Sequence, residues 1–231
     1  RHHTETAAMI VEPLVQGASG MVMYDAEYLR QARALCERFD VHLIADEIMT
    51  GFGRTGSFFA HAQADIAPDF LCLSKGITGG TLPLACVMTT DRVYAAFYDD
   101  ATARGFLHSH SYTGNPLACR AAVAVLDIFA ADDVIAANRR TQAALNAAAA
   151  PLARHPRVRD FRNTGMIWAF EVEGAGAAFA RDYYAAALAR GVLLRPIGNT
   201  VYFMPPYVID AEAIAQLVEA ATGALDAVCG G

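Results

Sequence analysis

Phe70-Leu71-Cys72-Leu73-Ser74-Lys75-Gly76-Ile77-Thr78-Gly79-Gly80 joins a short apolar run to a glycine-rich turn, with a lysine at the junction. Four apolar residues followed by turn formers read as a buried strand, so Lys75 stands where that strand ends. It is the only lysine in the chain, against seventeen arginines. A deprotonated amine condenses with an aldehyde and a guanidinium does not, so this position is a candidate for chemistry that needs an amine. Lysine count alone favours an ordinary solvated charge. The flanking sequence shifts the balance.

Upstream, Val41-His42-Leu43-Ile44-Ala45 reads as a second short strand that ends at Asp46 and Glu47, with Asp46 29 residues before Lys75. Before it, Asp25 is a candidate N-cap, and Tyr28, Leu29, Ala32, Leu35, Cys36 and Phe39 recur at helical spacing up to Asp40. Ala7 to Leu14 reads as a third strand, closed by Pro13 and the turn formers Gly17, Ser19 and Gly20. Strand, helix, strand, the glycine-rich loop Gly51-Phe52-Gly53-Arg54-Thr55-Gly56, and strand form a βαβ pattern. Such sheets bind ligands beyond the carboxyl ends of their strands. Asp46 and Lys75 both fall there. An amine and a carboxylate in one crevice make either a partly buried structural ion pair or a pyridoxal phosphate site. In the second case the lysine carries the cofactor and the aspartate keeps its pyridine nitrogen protonated. The residues alone leave these two readings about even.

Further along, Leu82 to Met88 is an expected strand, and Asp91 an expected cap for a helix through Phe97. Asn115 as N-cap with Pro116 at the first helical position starts a long helix to about Phe129, and a second runs from Asp133 to Leu152. Beyond Pro156 the pattern becomes α+β. Strands are expected at Arg157 to Phe161, Met166 to Val172, Val192 to Leu194 and Val201 to Met204, and helices at Gly176 to Arg190 and from an Asp210 cap to about Val228. The expected division is residues 1–130, a connecting helix at 131–155, and a small domain at 156–231.

Composition narrows the function classes. The 231 residues are 55% hydrophobic and carry a net charge of −6, with no basic stripe for nucleic acid or an anionic membrane. No uninterrupted apolar run reaches the roughly 18 residues of a membrane span, and no signal peptide is visible, so a soluble cytoplasmic protein is expected. Cys36, Cys72, Cys86, Cys119 and Cys229 lack metal or disulfide spacing and are expected to be buried, reduced thiols; no metal site is expected. A parallel strand needs neighbours and cover on both faces, yet only Arg1 to Glu5 precede the first one. The chain is therefore expected to be one half of a larger protein.

Ala45-Asp46-Glu47-Ile48-Met49-Thr50-Gly51-Phe52-Gly53-Arg54-Thr55-Gly56 followed by Asp69 through Gly80 closely resembles the paired signature of class III pyridoxal-phosphate aminotransferases. The resemblance runs from Val11-Glu12-Pro13 to the C-terminal helix and corresponds to the second half of such an enzyme. It implies a fold-type I α/β architecture, namely part of the large domain's mostly parallel sheet plus a small C-terminal α+β domain. It also implies pyridoxal 5'-phosphate as cofactor, a homodimer with shared active sites, and a small-molecule amino donor and keto acid as substrates. Leu194-Arg195-Pro196-Ile197-Gly198 and Val201 through Tyr207 look most like the branch serving biotin biosynthesis, with S-adenosylmethionine as donor and 8-amino-7-oxononanoate as acceptor. Other branches acting on ornithine, 4-aminobutyrate or a diamine, a lysine donor, and an inactive fragment that binds a complementary chain are the alternatives.

Residue by residue, the resemblance makes Lys75 the Schiff-base lysine and proton shuttle, and Asp46 the pyridinium partner. Ile48, taken to share the strand face of Asp46, packs on the ring, or is a plain core isoleucine. Glu12 matches an acidic residue near the cofactor, or is a strand-end carboxylate paired with an arginine. Ser111 stands where the family usually has a threonine that reaches the phosphate in the neighbouring subunit, which leaves Ser111 and Thr113 as candidates for that contact. Arg195 is the expected partner of the keto acid's carboxylate, a task suited to a bidentate donor, and Tyr202 lines the same pocket. Arg54, Gly79 and Gly80 are assigned to loop shape, and His108 and His110 to structure. The family's main phosphate cradle and stacking aromatic are expected upstream of Arg1, so this chain alone is expected to bind the cofactor weakly.

Overall fold

The computed structural model describes residues 2–230, which group into two compact units. The first unit comprises the residues up to Leu14, Tyr24–Phe52 and Ser57–Val134. The second comprises Val15–Met23, Gly53–Gly56 and the residues from Ile135 onward.

The first unit is built on a four-stranded sheet in the order β1 (Ala8–Val11), β4 (His42–Asp46), β5 (Phe70–Leu73), β6 (Cys86–Thr89). β1, β4 and β5 run parallel, with Val11 opposite Ala45 and Asp46 opposite Cys72. β6 is antiparallel to β5, with Leu73 opposite Cys86, and all four of its residues are exposed. The strand expected at Leu82 to Met88 is Cys86–Thr89, four residues later at its start. The turn residues after Lys75 consume the interval.

Helix α1 (Ala26–Arg38) crosses between β1 and β4, as the apolar spacing predicts. The Asp25 side chain caps it by accepting from the Glu27 N–H at 2.7 Å. Leu29, Ala32 and Cys36 are its buried face. Asp69 ties helix to sheet, because its Oδ2 accepts from Arg33 and from the Leu43 N–H, each at 2.8 Å. α2 (Asp91–Phe97) is capped by the Thr90 hydroxyl and not by Asp91, which lies one residue inside the first turn. α3 (Pro116–Ala131) begins as expected, with the Asn115 side chain accepting from the Leu117 N–H at 3.0 Å and Pro116 in the first turn.

The second unit contains α4 (Val134–Ala153) and an antiparallel sheet of β7 (Val158–Thr164), β8 (Ile167–Val172) and β9 (Thr200–Phe203), with α5 (Phe179–Leu188) and α6 (Ala211–Cys229). Trp168, Phe170, Tyr183, Phe203, Leu145 and Leu225, all under 2% exposed, form its core. The buried Trp168 Nε1–H donates to the Asn146 side-chain Oδ1 at 2.6 Å, which removes the cost of an orphaned donor. A short hairpin, β2 (Val15–Gln16) with β3 (Val22–Met23), belongs to this unit and has no counterpart in the sequence reading. Val192 to Leu194 forms no strand.

Cys36 is buried as expected, whereas Cys86 and Cys119 are exposed, a correction that follows from the open β6 edge and the exposed start of α3. All five cysteines are free. No helix among the described residues is long and apolar enough to cross a membrane.

Candidate active site

Three parallel strands of the first unit end side by side. Glu12 follows the last residue of β1, Asp46 closes β4, and Lys75 follows β5 by two residues. Because Val11 pairs with Ala45 and Asp46 with Cys72, Glu12 and Asp46 stand at one level of the sheet edge, with Lys75 three residues beyond Cys72.

Lys75 is exposed and opens a 3-10 turn, Lys75–Thr78, with φ of 46°. Side chains with a Cβ rarely adopt this left-handed conformation, and strain of about 1–3 kcal/mol at such a position persists only when the surroundings hold it. The surroundings are specific. The Ser74 hydroxyl donates to the Leu84 carbonyl at 2.7 Å and the Thr78 hydroxyl to the Leu82 carbonyl at 2.6 Å, so the strand end is tied to the loop leading into β6. Gly76 lies so close to Phe52 that an added Cβ would stand 2.8 Å from the phenylalanine Cβ. Gly79 and Gly80, at φ of 61° and 82°, complete the turn in the conformation that glycine permits, consistent with their expected part in loop shape.

Asp46 is partly buried, and its Oδ1 accepts from the Ile48 N–H at 3.1 Å. That bond ends the strand, so Ile48 lies in a turn and not on the strand face of Asp46. The periodicity argument for Ile48 does not hold, although its partly buried side chain remains two residues from the carboxylate. The Glu12 carbonyl accepts from the Tyr24 hydroxyl, and burial pushes the Tyr24 phenol up to about 12.

Thr113 lines a cavity of about 660 Å³ together with Ser74, Leu84, His110, Tyr112 and Asn115; Ser111 is exposed and is not part of the lining. Thr113 Oγ1 accepts from the His110 N–H at 3.0 Å, which leaves its own O–H available to donate. His110 Nδ1 accepts from the Tyr112 N–H at 3.1 Å, a structural role that matches its reading. His108 is exposed in the same loop.

Arg195 and Tyr202 lie in the second unit. Arg195 is exposed, follows the buried Leu194, and makes no ion pair among the described residues. Tyr202 is partly buried in β9 opposite Ala169. A tight turn separates them, closed by reciprocal Ile197 and Thr200 backbone bonds of 2.9 Å, with Gly198 at φ of 62°. Arg54, in the same unit, donates to the Pro205 carbonyl at 2.8 Å and lies 4.5 Å over the Tyr207 ring. Burial lowers its pKa, and its bonds to loop carbonyls agree with an assignment to loop shape.

Glu47 and His61, to which the sequence assigns no role, meet here. Glu47, fully buried, accepts from the Ala60 and His61 N–H groups and from His61 Nδ1, each at 2.7 Å. The Asp46-Glu47 dipeptide was visible at the strand end, but nothing in its local pattern tells which carboxylate turns inward.

The groups at this edge fit pyridoxal phosphate by donor chemistry: an exposed amine for its aldehyde and a carboxylate on the neighbouring strand for its pyridine nitrogen. No group of three or more His, Cys, Asp or Glu among the described residues could hold a metal ion.

Parallel strands that lead to a carboxylate and, on the neighbouring strand, to a lysine opening a glycine-containing turn match the arrangement that the sequence resemblance implies. Residues 1–225 match the aminotransferase class-III family model, and the chain belongs to that family. The adenosylmethionine-8-amino-7-oxononanoate aminotransferase of Helicobacter pylori is 48% identical over 229 residues, covering 95% of this chain and 52% of the relative. The solved structure of the same-named enzyme from Methanocaldococcus jannaschii superposes with a TM-score of 0.92 at 33% identity, over 99% of this chain and 55% of that one. An amine transaminase from an uncultivated Pseudomonas species, solved in its PLP-bound form, gives a TM-score of 0.87 at 33% identity over 98% and 53%. The architecture is thus that of the PLP-dependent transaminases, an α/β fold with a mixed, mostly parallel sheet. The chain spans about half the length of the curated relatives it matches.

Proposed function

We propose that this chain is the lysine-bearing half of a pyridoxal-phosphate aminotransferase that moves an amino group from S-adenosylmethionine to 8-amino-7-oxononanoate. One observation carries the reading. Asp46 closes β4 and Lys75 follows the adjacent parallel β5 by two residues, in a chain 48% identical, over 95% of its length, to a relative of that name.

When bound, pyridoxal phosphate supplies a carbonyl carbon that exchanges nitrogen with the substrates and a ring that accepts an electron pair. The Asp46 carboxylate would hold a proton at the ring nitrogen. Lys75 Nζ would anchor the cofactor and carry a proton between the substrate carbon and the cofactor's C4′. Its exposure at a strand end leaves the amine reachable by both. Ile48 would cover the ring, and Glu12 would stand beside the cofactor at the end of β1. Ser111 and Thr113, in one exposed loop, would be the candidate donors to the phosphate of the neighbouring subunit. Arg195 would take the keto acid's carboxylate and Tyr202 would line that pocket.

A cytoplasmic homodimer with shared active sites belongs to the same reading, supported by the loop that carries Ser111 and Thr113, whose residues 104–114 are all exposed. The division at 1–130, 131–155 and 156–231 accompanies it, supported by the switch from a mostly parallel sheet to an antiparallel one. The test is a donor-by-donor survey on the full-length protein, following the cofactor's absorbance. Conversion by S-adenosylmethionine and not by ornithine, 4-aminobutyrate, diamines or lysine is expected. Conversion by one of those amines instead would move the protein to another branch of the class.

A further inference from the structure

Glu47 is the one charged residue among the described residues with no solvent exposure at all. Burying a carboxylate is costly unless donors surround it, and here three do. The Ala60 N–H reaches Oε2, and the His61 N–H and Nδ1 reach Oε1, each at 2.7 Å. A carboxylate accepts, so His61 Nδ1 carries a proton. The His61 ring is fixed in turn by stacking on Phe59 with centroids 5.7 Å apart.

The backbone of Glu47 is held as firmly as its side chain. Its N–H donates to the Cys72 carbonyl at 3.0 Å and extends the β4–β5 ladder one residue past Asp46, while its carbonyl accepts from the Gly51 N–H at 3.1 Å. A Cβ on Gly51 would stand 3.0 Å from that carbonyl and 3.3 Å from Oε2, so the glycine leaves room for the carboxylate. Asp46 is thus pinned from two sides. Its own carboxylate accepts from Ile48, and its neighbour is locked to β5 and to the loop at Ala60 and His61.

We propose that the Glu47–His61 pair is a positioning element for Asp46, setting the direction in which the aspartate carboxylate faces the ring nitrogen of the cofactor. This rests on the pyridoxal-phosphate reading above. Neither Glu47 nor His61 touches the cofactor in this account; both act through the end of β4.

The test loads the full-length protein with pyridoxal phosphate isotopically labelled at the ring nitrogen. It reads the ring-nitrogen chemical shift, the rate of cofactor release and the melting temperature of the cofactor-free protein. His61→Asn keeps an N–H donor near the position of Nδ1, and His61→Ala removes it. We expect His61→Asn to retain the wild-type shift and release rate. We expect His61→Ala to move the shift toward that of an unprotonated ring and to speed release by about tenfold, the worth of one hydrogen bond to a charged group. Glu47→Gln, which turns an amide N–H₂ toward donors, should move both further. If His61→Ala and Glu47→Gln lower melting but leave shift and release unchanged, the pair is a folding clamp and the proposal is overturned. Should Glu47→Gln fail to fold, the two His61 variants decide alone. Asp46→Asn separates the two levels of the argument. If it leaves the ring nitrogen unmoved, the cofactor reading fails; if it moves the ring nitrogen and His61→Ala does not, only the positioning role fails.

Discussion

Asp46 stands opposite Cys72 on the neighbouring parallel strand, and Lys75 follows Cys72 by three residues, so a carboxylate and the chain's single lysine share one edge of the sheet. If that edge holds a protonated pyridine ring, Asp46 contributes a charged hydrogen bond worth about 1.5–3 kcal/mol. Asp46→Asn keeps an oxygen for the Ile48 N–H and loses the charge. Turnover by the full-length protein should fall by roughly 10- to 100-fold while its melting temperature changes little. Unchanged turnover would remove Asp46 from the site.

Arg195 is exposed at the start of a tight turn, free of ion pairs among the described residues. A guanidinium so placed suits a substrate carboxylate. Arg195→Ala should weaken the keto acid half-reaction by roughly 10- to 100-fold and spare the amino donor half. Stopped-flow measurement of each half-reaction separately checks this, and equal losses in both would contradict it.

Gly76 has no room for a side chain. An added Cβ would lie 2.8 and 2.9 Å from Phe52 Cβ and Cδ2, and Phe52 is 4% exposed with a left-handed φ of 54°. Overpacking of this kind costs about 1–3 kcal/mol. Gly76→Ala should lower the denaturant midpoint accordingly, and a change within about 0.5 kcal/mol would show that the Phe52 contact yields.

Capping and strand signals were legible because they are local. Asp25 and Asn115 cap the helices they were expected to cap, Phe70–Leu73 is a strand to the residue, and Asp210 starts the last helix. Lys75 and Asp46 were placed correctly at strand ends for the same reason. What escaped depends on side-chain contacts that leave no periodic pattern in the sequence. Ile48 lies in a turn with its N–H on the Asp46 carboxylate, and the loop before β6 is tied down by the Ser74 and Thr78 hydroxyls. The role of Glu47 is decided by donors 13 and 14 residues away, which no periodicity encodes. The hairpin of Val15–Gln16 with Val22–Met23 has strands too short to leave an alternating pattern.

Tyr24 gives a prediction in pH. Burial raises its phenol from 10.0 to about 12, so the folded state holds the proton more tightly than the unfolded chain. The resulting stability is fully present below pH 10 and is lost as pH rises through about 12. Tyr24→Phe removes the bond to the Glu12 carbonyl and should flatten this alkaline decline. Denaturant midpoints measured across that range check it; an identical decline in the variant would assign the loss to other groups.

The central claim is that the amine of Lys75 holds the cofactor. Borohydride reduction of the full-length protein loaded with pyridoxal phosphate, followed by peptide mass analysis, tests it most directly. A pyridoxyl group on the peptide containing Lys75, absent in Lys75→Ala, is the predicted result. A pyridoxyl group on any other amine, with Lys75 unmodified, would contradict the account.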